Sequence, residues 1–220
     1  MVMRQDFEKS GRPTEFKIEL LLPKKSFKDF NCAIAEYNDY LFNDALGSME
    51  DHISLTWLLV ERSSGKIAAY MSLIMDAIKL SFTEKELHHL NYPFRTIPAM
   101  KIAKLAVDHN FSEKYKGIGS FMIDSAVRLA WACNKNYCAC RFLTVDAYYS
   151  ATPNSLGVLL VAKLHEYICG VCYANSKLKD ASLLAGILRF YEKNGFIQNS
   201  ELHNKNRKTI SMRKDIYKLT

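Results

Sequence analysis

The chain has 220 residues, 49% hydrophobic and 24% charged, with a formal net charge of +7. That composition excludes the disordered and collagen-like classes, and the length suits one large domain better than two. No apolar run approaches the ~18–20 residues of a membrane span, and the opening MVMRQDFEKSGRPTE lacks the apolar core of a signal peptide, so a cytoplasmic protein with no membrane partner is expected.

Phe16–Leu22 reads as a strand stopped by Pro23. Ser26 to Asp29 looks like a helix start. The helix then carries Phe30, Ile34, Tyr37, Leu41 and Ala45 on one face and ends at Gly47. Ser54–Glu61 and Lys66–Leu73 are strands joined by the hairpin loop Ser63-Ser64-Gly65. Met75–Leu80 either extends the second strand or bends away. Thr83 to Glu86 forms a capping box for a short helix through His89. His88 and His89 are adjacent, not at the i, i+4 spacing that faces a metal together, and are expected as surface polar groups. Asn91-Tyr92-Pro93 and Pro98 mark a loop.

Met100–Val107 is the next strand. A polar loop, a glycine-centred turn and an amphipathic helix follow it. The helix places Ile118, Phe121, Met122, Ala126, Leu129, Ala130 and Cys133 at i, i+3, i+4 spacing. Cys140–Ala147 is a further strand. Ser155–Tyr173, within residues 148–180, is apolar at helical spacing and reads as an inserted helix. Ala181–Lys193 is a closing helix ended by Asn194-Gly195. Phe196–Asn199 and Lys208–Tyr217 are the last, antiparallel strands. The fold class is α/β (α+β): one domain over residues 1–220, with a mixed, mostly antiparallel central sheet and helices on both faces. The strand–helix–strand crossover makes Met100–Val107 and Cys140–Ala147 its one parallel pair.

There are six cysteines. Cys138-x-Cys140 and Cys169-x-x-Cys172 invite a zinc reading, but no His follows them at finger spacing. Reduced thiols packed as small hydrophobes are expected, with no metal. Basic residues concentrate in Glu201–Thr220. Such a surface attracts polyanions, or is a solvated basic face.

The turn Lys114-Tyr115-Lys116-Gly117-Ile118-Gly119-Ser120 carries the strongest chemical signal. A helix start leaves backbone N–H groups free, the helix dipole points its positive end there, and two glycines remove Cβ atoms from the approach. A phosphate-bearing ligand is the inference, against a plain helix start with a glycine turn. A Walker loop needs four residues between its glycines and then Gly-Lys-Ser/Thr. A Rossmann fingerprint needs a third glycine where Met122 stands. Neither fits.

KLAVDHNFSEKYKGIGSFMIDSAV, followed by RFLTVDAY and FYEKNGF (Phe190–Phe196), resembles the core of the GNAT acetyltransferases. In that family a Gln/Arg-x-x-Gly-x-Gly/Ala turn opens a helix that holds the coenzyme A pyrophosphate. Lys114 stands where the family has Gln or Arg. Leu184 stands where many relatives place a coenzyme-contacting Asn. The resemblance implies acetyl-CoA as co-substrate and Lys114 to Ser120 as its phosphate site. It also implies that a backbone N–H among Leu105, Ala106 and Val107 bonds the thioester carbonyl, and that Tyr191 is general acid to the leaving thiolate. A phenol of pKa about 10 can donate to a thiolate whose conjugate acid lies near ~8.5. Phe190 is expected to pack. Asp146, His165 and Glu166 are candidates for a general base, and none stands out.

A looser likeness concerns Phe30-Asn31-Cys32, Asn38 to Ala45, and Tyr70-Met71-Ser72-Leu73. These resemble the toxin-type branch of the family, which acetylates aminoacyl-tRNA. The expected activity is N-acetyl transfer to a primary amine by direct attack in a ternary complex. The alternatives are the toxin-type reaction and a non-catalytic CoA-binding regulatory module. An amine acceptor (small molecule or protein), tRNA and a second copy of the chain are the partners considered.

Overall fold

The computed structural model describes residues 15–23, 29–32, 34–148, 186–199 and 209–217. The expected inserted helix, Cys169, Cys172, His165, Glu166, Leu184 and the basic residues 205–208 lie outside them. Among the described residues seven strands form one sheet: β1 (Phe16–Leu20), β2 (Leu55–Glu61), β3 (Ile67–Lys79), β4 (Thr96–Val107), β5 (Phe142–Tyr148), β6 (Ile197–Gln198) and β7 (Thr209–Asp215). The order is β1-β2-β3-β4-β5-β7-β6, mostly antiparallel with one parallel pair, as expected. Contacts divide the chain into two units: Met1–Asp76 with Pro98–Cys140, and Ala77–Ile97 with Arg141–Thr220.

In the first unit β1, β2 and β3 pair antiparallel. Thr56 and Ser72 face each other in register, and their buried hydroxyls bond at 2.7 Å, so neither polar atom is orphaned. The register slips by one residue between Leu59 and Val60, leaving Ala68 as the extra residue of a bulge. The Ala68 carbonyl accepts the Asp108 N–H at 2.9 Å. β3 runs on to Lys79, which settles the open choice for Met75–Leu80 in favour of extension. β4 begins at Thr96, so Pro98 lies inside a strand and not in a loop. It is exposed near the strand's start, where a missing N–H costs least.

Helix α1 (Ala35–Asp39), a π-helical turn (Tyr40–Asp44) and helix α2 (Ala45–Glu50) run continuously. The helix starts five residues after Phe30, where side chains engage the N–H groups of the preceding backbone. The Asn31 N–H donates to Asp108 Oδ2 at 2.8 Å and the Cys32 N–H to Asn38 Oδ1 at 2.8 Å. Gly47 does not end the helix. It sits within α2 in open space. Leu41 and Ala45 bury against Phe30, Leu58, Tyr70 and Ala106. Burying a leucine of this kind contributes about 1.5–3 kcal/mol.

In the second unit β7 pairs antiparallel with β5 and β6. Helix α3 (Phe82–Leu87) opens with a capping box, but two residues earlier than the sequence suggested. The Ser81 hydroxyl accepts the Glu84 N–H at 3.3 Å, and Glu84 Oε2 accepts the Ser81 N–H at 2.8 Å. His88 is a correction: it is buried, not a surface group. Its Nε2 accepts from Arg213 Nε at 3.2 Å, so Nδ1 carries the proton and donates to Asp215 Oδ2 at 2.9 Å. Arg213 also donates to Glu84 Oε1 and Asn199 Oδ1, both at 2.8 Å, and Arg141 donates to Asp215 at 2.8 Å. The buried Arg213 and the half-buried Arg141 are thus paired by two carboxylates, as burial demands.

Candidate functional site

The first unit carries the expected phosphate turn. The segment read as a polar loop after Val107 is instead a short helix, α4 (His109–Lys114). Asp108 makes it one. Its carboxylate caps α4 by accepting the Asn110 and Phe111 N–H groups at 3.0 and 3.3 Å, while its other oxygen accepts the Asn31 N–H. Its side chain is buried. The sequence signal for this helix is the Asp just before a helical turn.

Helix α5 (Ile118–Asn136) follows, with Gly117 at its N-cap at φ 89°. That left-handed backbone is open to glycine and costs a side-chain-bearing residue about 1–3 kcal/mol. No side chain caps the first turn of α5, and the Gly117 carbonyl already accepts the Phe121 N–H at 2.9 Å. The N–H groups of Ile118, Gly119 and Ser120 therefore head a 19-residue helix without a side-chain cap. The helix is held by Ile118, Met122, Ile123, Ala126 and Ala130, all buried. Ile123 joins the face that the sequence assigned in part to Phe121 and Leu129.

Lys114 is exposed at the end of α4. Its Nζ lies 3.6 Å from Glu61 Oε1 and 4.7 Å from the centre of the Tyr115 ring. Ser64 donates to Glu61 Oε2 at 2.6 Å, and that bond, with Lys114, holds the Glu61 carboxyl below the usual carboxylate range. Lys114 is thus a tethered cation, already partly neutralised. A recess of about 280 Å3 lies here, but Asp29, Glu61 and Asp108 line it alongside Lys66 and Lys114. Its mixed charge makes it a poorer anion site than the uncapped turn of α5. On β4, Ala106 is buried while Leu105 and Val107 are half-buried.

The second unit carries Tyr191, in the last turn of helix α6 (186–193). The side chain is 9% exposed. Phe190 and Phe196 stand edge-on to its ring at 5.1 and 5.4 Å between centres. Its carbonyl accepts the N–H groups of Asn194 and Phe196, both at 3.0 Å, and Gly195 makes that return at φ 81°, as the Asn-Gly pair suggested. Lys214 fixes the corner by donating to the Asn194 carbonyl at 2.8 Å. The ring is therefore held firmly, which suits a positioned proton donor and an aromatic core residue alike. Asp146 is half-buried on β5. Among the described residues no group of three His, Cys, Asp or Glu could hold a metal ion, and no helix is long and apolar enough to cross a membrane.

No family model and no curated protein matches the sequence. Solved structures do. AtaT complexed with acetyl-methionyl-tRNAfMet is 14% identical, with a TM-score of 0.61 over 92% of this chain and 95% of that one. A tyrosine-to-phenylalanine mutant of KacT is 17% identical, with a TM-score of 0.60 over 90% of this chain and 95% of that one. AtaTR bound with acetyl-CoA is 15% identical, with a TM-score of 0.58 over 90% and 94%. At such identities the likeness is one of architecture: this chain has the GNAT fold, in the form it takes in AtaT and KacT.

Proposed function

We propose that the chain is an N-acetyltransferase that moves an acetyl group from acetyl-CoA to a primary amine by direct attack in a ternary complex. The observation that carries this is the uncapped first turn of α5 behind Gly117, following β4. Acetyl-CoA supplies the activated thioester. The N–H groups from Ile118 to Ser120 hold its pyrophosphate, Gly117 and Gly119 leave room for it, and Tyr115 and Lys116 complete the turn. Lys114 adds charge once Glu61 releases it. A backbone N–H within Leu105 to Val107 stabilises the negative charge that develops on the carbonyl oxygen. Tyr191 donates the proton to the departing thiolate. No residue is assigned as base. An α-amino group of pKa about 7.7–8.0 needs none near neutrality, whereas a lysine amine at about 10.4 does.

Acetyl-CoA is expected to raise the melting temperature of the full chain, and Gly117→Glu to abolish the shift while the unliganded variant still melts cooperatively. A wild-type melting temperature unmoved by saturating acetyl-CoA sinks the proposal. Binding without acetylation of any amine supports instead the non-catalytic CoA-binding module.

The acceptor has a second, narrower reading: the α-amino group of an aminoacyl-tRNA. It is favoured by the likeness to AtaT, a structure of which holds acetyl-methionyl-tRNAfMet, and by the net charge of +7. Incubation with acetyl-CoA and charged tRNA should yield N-acetyl-aminoacyl-tRNA. Turnover of free amines together with inert charged tRNA would remove this reading and leave the first intact.

A further inference from the structure

The far end of α5 carries a second chemical feature. Cys133 lies in its last turn. The N–H groups of Tyr137 and Cys138 both donate to the Cys133 carbonyl, at 2.8 and 3.1 Å. A bond from five residues on is the kind that closes a helix C-terminus and folds the chain back over its last turn. It brings the two sulfurs to 3.1 Å. Asn134 fixes the returning chain from both sides: its Oδ1 accepts the Cys140 N–H and its Nδ2 donates to the Cys140 carbonyl at 2.7 Å. The pair is therefore preorganised, with little chain entropy left to lose on bonding. Cys138 is exposed and Cys133 half-buried, so a small oxidant in solvent reaches them. Cys140, the other thiol on this loop, is buried, and burial pushes it up to about 11.

We propose that Cys133 and Cys138 form a reversible dithiol–disulfide site, oxidised by hydrogen peroxide, that covalently closes the C-terminal end of α5. The Cys138 thiolate attacks one peroxide oxygen. The O–O bond breaks, the departing hydroxide takes up a proton as water, and Cys138 becomes a sulfenic acid. The Cys133 sulfur then attacks the Cys138 sulfur. The S–S bond forms, the S–O bond breaks, and the hydroxyl leaves as water with the Cys133 proton. Two thiols together give up two electrons and one peroxide becomes two waters. A thiol reverses the bond by exchange. The sulfurs must approach by about 1 Å to reach the ~2.05 Å of a disulfide, which side-chain rotation about the exposed Cys138 can supply. Contact with Cys133 holds the Cys138 thiol above its ordinary range. Because the thiolate is the nucleophile, oxidation should quicken about tenfold per pH unit below that thiol's pKa.

The test treats the full chain with hydrogen peroxide, blocks the remaining thiols and digests with trypsin. The peptides LAWACNK and NYCACR, which end at Lys135 and Arg141, should be recovered linked, having lost two hydrogens, and should separate on reduction. Cys138→Ser should remove the link and Cys140→Ser should leave it. A link that persists in Cys138→Ser, or vanishes in Cys140→Ser, overturns the assignment. So does irreversible oxidation of Cys138 alone with Cys133 still open to blocking. Each variant changes one sulfur to oxygen at an end of the chain's longest described helix, and its melting temperature reports whether folding is retained.

Discussion

At the level of single residues, Tyr191 divides binding from chemistry. Its ring is fixed by Phe190 and Phe196 and by the Gly195 corner, so Tyr191→Phe should leave the packing and the acetyl-CoA-dependent rise in melting temperature unchanged. If the phenol is the acid, turnover should fall by about 10²–10⁴-fold, the range of general acid–base catalysis. The check is kcat measured beside acetyl-CoA binding: full turnover in the variant removes Tyr191 from the chemistry and makes it a core aromatic. Lys114 behaves differently. The sequence shows a cation at the motif's first position, and only coordinates show Glu61 3.6 Å from its nitrogen. The burial of His88 is hidden from the sequence for the same reason. Its buried partners Arg213 and Asp215 are 125 and 127 residues away in sequence, and no local spacing reports them.

At the level of elements, the sequence was most legible where the pattern is local. Gly-x-Gly ahead of an apolar 3.6-residue period located α5, and Ser63-Ser64-Gly65 located the β2–β3 hairpin. The end of FYEKNGF was set by Asn194-Gly195. It was least legible where side chains bind backbone at a distance. The start of α1 depends on Asn38 and Asp108, and the sequence pattern alone ran that helix back to Phe30. Asp108 is the element that joins these pieces, because it caps α4 and holds the Asn31 backbone while its own N–H reaches Ala68. Asp108→Ala removes the cap and takes the side-chain acceptor from the buried Phe111 N–H. Losing an N-cap costs about 0.5–2 kcal/mol and orphaning a buried donor about 1–3 kcal/mol. A melting temperature within error of the wild type would show that α4 is held by other means. Since α4 leads directly into Gly117, affinity for acetyl-CoA should fall with it.

At the level of the whole molecule, the net charge of +7 bears on the acceptor and not on the fold. If charged tRNA is the acceptor, its apparent KM should rise steeply with added salt, since each phosphate contact releases counterions. The KM for a small neutral-headed amine should barely move. The same chain also threads its two units alternately, with Ala77–Ile97 belonging with the described residues after Cys140. The linked side chains Glu84–Arg213–His88–Asp215 therefore draw on both ends of a long detour. During synthesis His88 precedes Arg213 by 125 residues. At ribosomal rates of about 5–20 residues per second that is a wait of roughly 6–25 s. For that interval α3 has emerged before its partners Arg213 and Asp215, and the pairing of β5 with β7 waits on the same residues.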